Sequence, residues 1–210
     1  MKKAYFPLVL ILVLAFLIGF IISKMLGSDS DENQAVIKQM QTSTLLSPPK
    51  LMPEFSLVNH QGQEFTKASL QGKNSIIFFG YANCPDICPQ SLQFLKSVKF
   101  KLQQAEKWDE FQVVFVSVDP ERDTVEVLSK YVPYFDAEFV GVTGTATAIT
   151  DFAKTLSMPF SLREKDENGY YDVDHTASLL LTNTQGDVQA LISHPYTIEA
   201  LTSDLLSIVN

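Results

Sequence analysis

The apolar run Ser75-Ile76-Ile77-Phe78-Phe79-Gly80 leads without a polar spacer into Tyr81-Ala82-Asn83-Cys84-Pro85-Asp86-Ile87-Cys88-Pro89. A short continuous apolar run suits a buried strand. Proline is tolerated only in the first turn of a helix, so Pro85 and Pro89 together require a helix to begin between them. The chain therefore turns from strand to helix within a few residues, with Cys84 in the loop and Cys88 in the first turn. These are the only two cysteines in 210 residues. The free amides and positive dipole end of the helix are expected to stabilise a thiolate at Cys88, with Asp86 as the N-cap.

The pattern on either side extends this β-to-α step. Residues 55–58 and 63–66 flank Asn59-His60-Gln61-Gly62 and predict a β-hairpin. Beyond Pro89, Leu92, Leu95, Val98, Leu102 and Ala105 make one stripe of a helix over 90–107. A buried strand follows at 113–118, then a helix over 124–131, a strand at 139–142 and a helix over 145–156. Strands alternating with helices imply a parallel core. The last third differs: an irregular polar stretch, 163–174, then strands at 177–182 and 188–192 joined by Asn183-Thr184-Gln185-Gly186, which predicts an antiparallel pair, and a helix over 197–209. The sum is an α/β fold of the thioredoxin-like class, a central mixed sheet flanked by helices and preceded by an N-terminal hairpin.

Residues 4–22 carry no charge and are long enough as a helix to cross a bilayer core. A cleaved signal peptide would have a shorter apolar region and a small-residue cleavage site, which Ser23-Lys24-Met25-Leu26-Gly27 does not offer. The expectation is a single transmembrane anchor within 1–26, a flexible linker over 27–50 and one folded domain over 51–210. Lys2 and Lys3 precede the span, and Asp29, Asp31 and Glu32 follow Lys24, so the N-terminus is expected in the cytoplasm and the domain outside it. The first arginine is Arg122, which argues against an Arg-rich mitochondrial presequence. A bacterial cytoplasmic membrane with the domain facing the periplasm or cell exterior follows. Setting residues 1–24 aside leaves 13 basic against 24 acidic side chains, a net −11, which argues against nucleic acid as a partner.

Two thiolates select Cu(I), zinc or an iron–sulfur cluster. Structural zinc takes four ligands and clusters generally take four cysteines, so few-coordinate copper fits two cysteines best. A third donor would come from His60, His175 or His194. His60 at the hairpin tip and His194 before Pro195 read as surface residues. His175 lies where the polar stretch enters a strand, at a sheet end that could approach the cysteine loop, but periodicity alone leaves the choice open.

The segments 81–89, Val116-Ser117-Val118-Asp119-Pro120-Glu121-Arg122-Asp123-Thr124, 139–144 and Tyr171-Asp172-Val173-Asp174-His175-Thr176 resemble, in order and spacing, the Sco/SenC proteins. These are membrane-anchored, copper-binding assembly factors of cytochrome c oxidase. The resemblance spans 51–210. It implies that Cys84, Cys88 and His175 bind one copper ion, Cu(I) or Cu(II), and that the partner is the oxidase subunit carrying the binuclear copper site, with other periplasmic copper chaperones as further partners. It places Asp119 and Asp174 near the site without making either a ligand. Where many relatives have a threonine before the first cysteine, this chain has Ala82-Asn83, and Val125 replaces a frequent proline; neither change removes a donor.

A metallochaperone, rather than an enzyme, is the first expectation. The alternative is a thiol–disulfide oxidoreductase in which Cys84 and Cys88 cycle between dithiol and disulfide. Redox pairs usually have two intervening residues, however, and need no distant histidine. A peroxidase is disfavoured because Tyr81 stands where a peroxidatic cysteine is normally preceded by Thr or Ser. Phe78, Phe79, Phe94 and Phe115 read as core, and Trp108 as a partly buried packing residue.

Overall fold

The computed structural model describes residues 16–18 and 36–209. A compact unit begins at Val36. Its strands are β1 (Val36–Gln39), β2 (Ser43–Lys50), β3 (Ser56–Asn59), β4 (Glu64–Thr66), β5 (Asn74–Gly80), β6 (Phe111–Ser117), β7 (Val140–Thr143), β8 (Phe160–Leu162), β9 (Val173–His175), β10 (Leu179–Thr182) and β11 (Val188–Ile192). Its helices are α1 (Ile87–Gln104), α2 (Val125–Phe135), α3 (Ala146–Thr155) and α4 (Ile198–Val209). Nine strands form one mixed sheet in the order β1-β2-β11-β10-β5-β6-β7-β3-β4, and β8 and β9 form a separate two-stranded ribbon.

β5 lies at the centre of the sheet, parallel to β6 and antiparallel to β10. All seven of its residues are buried, the polar Asn74 and Ser75 included, and the apolar run 76–79 forms its middle. β6 and β7 continue the parallel core, β3 and β4 form the expected hairpin, and β10 and β11 the expected antiparallel pair. Phe78, Phe79 and Phe115 are core residues, and Phe94 packs on Tyr196 with ring centroids 4.8 Å apart. Trp108 is nearly buried, its indole N–H donating to Glu138 at 2.7 Å.

Helix starts follow local chemistry. Thr124 and Thr145 cap α2 and α3, each hydroxyl accepting the N–H three residues on. α2 runs past the expected end at Tyr131 and carries Pro133 in its last turn. There the ring removes a single backbone hydrogen bond, while Val132 and Phe135 are both buried.

The 27–50 linker needs correction. Within it, 36–39 and 43–50 are strands of the main sheet, β2 pairing antiparallel with β11. The turn before β2 is held by Asp204 of α4, whose buried carboxylate accepts the N–H groups of Gln41, Thr42 and Ser43 at 3.1, 2.9 and 2.8 Å. Backbone pairing and a carboxylate more than 160 positions away leave no periodic trace in Ser/Thr/Pro-rich sequence. Residues 27–35 lie outside the described residues. So does the proposed anchor, except for Phe16–Ile18, which are helical. Among the described residues no helix is long and apolar enough to cross a membrane.

Candidate metal centre

The site is built where β5 gives way to α1. The helix begins at Ile87, between the two prolines, and Cys88 occupies its first turn. Cys84 is held in the loop by its N–H bond to the Tyr81 carbonyl, 3.2 Å. Its sulfur accepts the Cys88 N–H at 3.4 Å, so a thiol stands where an N-cap oxygen was expected. Asp86 occupies the cap position but makes no capping bond; its carboxylate accepts the side-chain amide of Gln90. Gly80 has a steric reason: a Cβ there would lie 2.7 Å from Cys88 Sγ and 2.9 Å from the Phe115 ring.

Both thiols are free, but their surroundings differ. Cys84 is half-buried, whereas Cys88 is fully buried, its sulfur accepting the backbone N–H of Tyr81 at 3.5 Å. Burial pushes the Cys88 thiol well up despite that bond. The expected thiolate at Cys88 is therefore corrected for the metal-free protein: desolvation outweighs the helix end.

His175 ends β9, opposite Phe160 of β8. Its Nε2 lies 3.3 Å from Cys88 Sγ, and its Nδ1 lies 3.0 Å from the Thr176 carbonyl. A carbonyl can only accept, so Nδ1 carries the proton and Nε2 presents its lone pair to the sulfurs. The ring stands edge-on to Phe78 and Tyr81, with centroids 6.0 and 5.8 Å away. Burial holds its pKa below the ordinary value. The three donor atoms, Cys84 Sγ, Cys88 Sγ and His175 Nε2, all lie within 4.8 Å of one another. Cys84 and His175 border an open cleft of about 350 Å³ whose walls include Pro85, Ile87 and Val173, while Cys88 lies buried behind them.

The other histidines stand apart. His194 is exposed as expected, against Tyr196. His60 is not at the surface: it is buried, its Nδ1 accepting the Gly141 N–H at 2.9 Å. The hairpin tip folds onto β7, which its position in a turn could not reveal. Of the acidic residues flagged by the resemblance, Asp174 is exposed and held by Arg163 through a bidentate pair, which keeps its carboxyl below the usual range. Asp119 is fully buried, accepting the Tyr171 hydroxyl at 2.8 Å and the Arg122 guanidinium. Sequence reasoning missed Gly80, Arg122 and Asp123 as site-building residues. The signal available for the last two was their place in the 116–124 segment; for Gly80 it was its position at the strand's end.

Two thiols and one imidazole form a soft, three-donor set, too few for a closed structural zinc site and matched in softness to Cu(I). The fold and this donor set define a thioredoxin-type protein with a thiol–imidazole centre at the start of its first helix. The chain belongs to the SCO1/SenC family, whose model matches residues 43–210. It is 35% identical over 149 residues to the mitochondrial SCO2 homolog of Mus musculus, covering 71% of this chain and 58% of that protein. The chain thus spans less than two thirds of that relative's length. Among solved structures it is similar to yeast Sco1 with copper bound (32% identity, TM-score 0.71, 77% of this chain and 89% of that one). It is also similar to Bradyrhizobium japonicum ScoI with copper bound (32% identity, TM-score 0.67, 74% and 97%).

Proposed function

We propose that this protein binds one copper ion through Cys84, Cys88 and His175 and delivers it to the binuclear copper site of cytochrome c oxidase. The observation that carries this is the convergence of the three donors within 4.8 Å, with two of them, Cys84 and His175, lining an open cleft. Cys84 and Cys88 clamp Cu(I) as thiolates. His175, its tautomer set by the Thr176 carbonyl, adds the nitrogen donor that also suits Cu(II). Because Cys84 faces the cleft and Cys88 is buried, incoming donors of the acceptor exchange first with Cys84. Loading deprotonates Cys88, so affinity rises with pH. Tethering by residues 4–22 to a bacterial cytoplasmic membrane, with the domain outside, brings the site to a membrane-bound oxidase subunit.

The test is copper titration of the reduced domain with its thiols quantified, repeated on Cys84→Ser, Cys88→Ser and His175→Ala. One copper per chain is expected, lost in both cysteine variants, with the Cu(II) spectrum altered in His175→Ala. A His175→Ala protein with the parental Cu(II) affinity and spectrum overturns the three-donor site. A second reading rests on the two free thiols lying so close together: thiol–disulfide reduction of the same oxidase site, with Cys84 as the accessible sulfur. Oxidase assembly in a deletion strain that is rescued by a reductant, and not by added copper, favours that reading.

A further inference from the structure

The two halves of the donor set come from segments that share no strand pairing. Cys84 and Cys88 sit between β5 and α1, whereas His175 ends the β8–β9 ribbon, which is separate from the main sheet. One short loop after β6, residues 118–124, touches both. On the cysteine side, Asp123 Oδ2 accepts the Ala82 N–H at 2.8 Å, two residues before Cys84, and the Ser117 hydroxyl at 2.7 Å. On the histidine side, Asp119 accepts the Tyr171 hydroxyl at 2.8 Å, and Arg122 Nη1 donates to the Tyr171 carbonyl at 2.9 Å. The guanidinium also lies over the Tyr171 ring, 3.7 Å from its centroid, with the Tyr81 ring centroid 5.5 Å away. Asp119 and Arg122 are paired with each other, and the carboxylate is fully buried. Tyr171 is itself nearly buried, four residues before His175.

We infer that the Asp119–Arg122 pair is a buckle that holds the His175 ribbon in register with the cysteine loop, and that Arg122 is a positioning residue for His175. The inference rests on the copper reading for its spectroscopic consequence, but the buckle itself is a property of the metal-free protein. A planar fork suits this place because its face covers the Tyr171 ring while its edge bridges Asp119 and the Tyr171 carbonyl; a compact ammonium has no planar face with which to combine the two. Without the buckle, the ribbon keeps its own β8–β9 pairing and moves as a unit, carrying Nε2 away from the sulfurs. Cys84 and Cys88 stay where Gly80, Tyr81 and Asp123 hold them. The expected signature is therefore selective: nitrogen ligation is lost and thiol ligation is kept.

The test compares the parent with Tyr171→Phe, which keeps the ring and removes the hydroxyl; with Arg122→Lys; and with Asp119→Asn/Arg122→Gln, which removes both charges so that no buried carboxylate is left unpaired. In the metal-free state, hydrogen exchange at 171–176 should accelerate about tenfold or more in the double variant, with β5 and β6 amides still protected. With copper, the double variant should hold one Cu(I) per chain but bind Cu(II) about 10–100-fold more weakly, its spectrum moving toward that of His175→Ala. Tyr171→Phe and Arg122→Lys should fall between it and the parent. Parental exchange at 171–176, or a parental Cu(II) spectrum in a destabilised double variant, overturns the buckle and leaves Arg122 a purely structural residue. If the double variant does not fold, the Tyr171→Phe protein decides the matter by the same two measurements. A parent that binds no copper defeats the copper reading instead, and hydrogen exchange alone then judges the buckle.

Discussion

At His175 one hydrogen bond chooses which nitrogen faces the sulfurs, and burial decides whether that nitrogen is protonated. Phe78, Tyr81 and the carbonyl of Thr176 surround the ring, and desolvation holds its pKa below the value of a solvated histidine. In the unfolded chain the ring takes up a proton near pH 6.5, whereas in the metal-free folded state it does so only at lower pH. Between those two values the unfolded state binds more protons, so stability falls as the pH drops below about 6.5 and levels off below the folded pKa. Urea unfolding of the metal-free protein between pH 7.5 and 5 should show this loss, and His175→Ala should lack the part due to this ring. Parallel pH profiles for the two proteins would show that burial does not depress this group. Cys88 behaves with the opposite sign: its raised pKa keeps it a thiol at pH values where an unfolded cysteine is already ionised, so stability falls as the pH rises above about 8.5. Neither protonation state was legible in the sequence, which showed a helix start beside Cys88 but not how completely the fold buries the thiol.

Among the elements, those with local signals were the ones anticipated. Pro85 and Pro89 place the start of α1, Thr124 and Thr145 place α2 and α3, and the unbroken apolar run of β5 marks the centre of the sheet. β2 escaped notice because its partners are backbone groups of β11 and the carboxylate of Asp204. Replacing Asp204 with alanine removes the acceptor for three N–H groups, two of them in buried residues. A loss of about 3 kcal/mol in unfolding free energy is expected, since bonds to a charged acceptor contribute about 1.5–3 kcal/mol each and do not add fully. Chemical denaturation measures it, and accelerated hydrogen exchange at 41–43 would locate it. An unchanged denaturation midpoint would mean that β2 holds its place by strand pairing alone.

For the molecule as a whole, the boundary of the folded unit matters most in practice. Composition places it at Leu51, yet β2 covers what would otherwise be the open edge of β11, and the compact unit begins at Val36. A soluble protein starting at Val36 should fold cooperatively, whereas one starting at Leu51 exposes the β11 backbone as a template for intermolecular pairing. Thermal unfolding and size-exclusion chromatography of the two should show a lower midpoint and self-association for the shorter one. Equal midpoints and monomeric elution of both would make β1 and β2 dispensable.

Local chemistry alone settled the strand-to-helix turn at Cys84 and Cys88, the alternation that makes a parallel core, and the softness of the two sulfur donors. Each depends on proline sterics, side-chain period or ligand type within a few residues. The company those sulfurs keep was decided by tertiary structure. His175 reaches Cys88 across 87 positions of sequence, Asp204 holds a turn more than 160 positions away, and the closed core buries a thiol that a helix end would otherwise ionise. Burial and long-range pairing depend on neighbours in space, and those neighbours exist only once the sheet has closed.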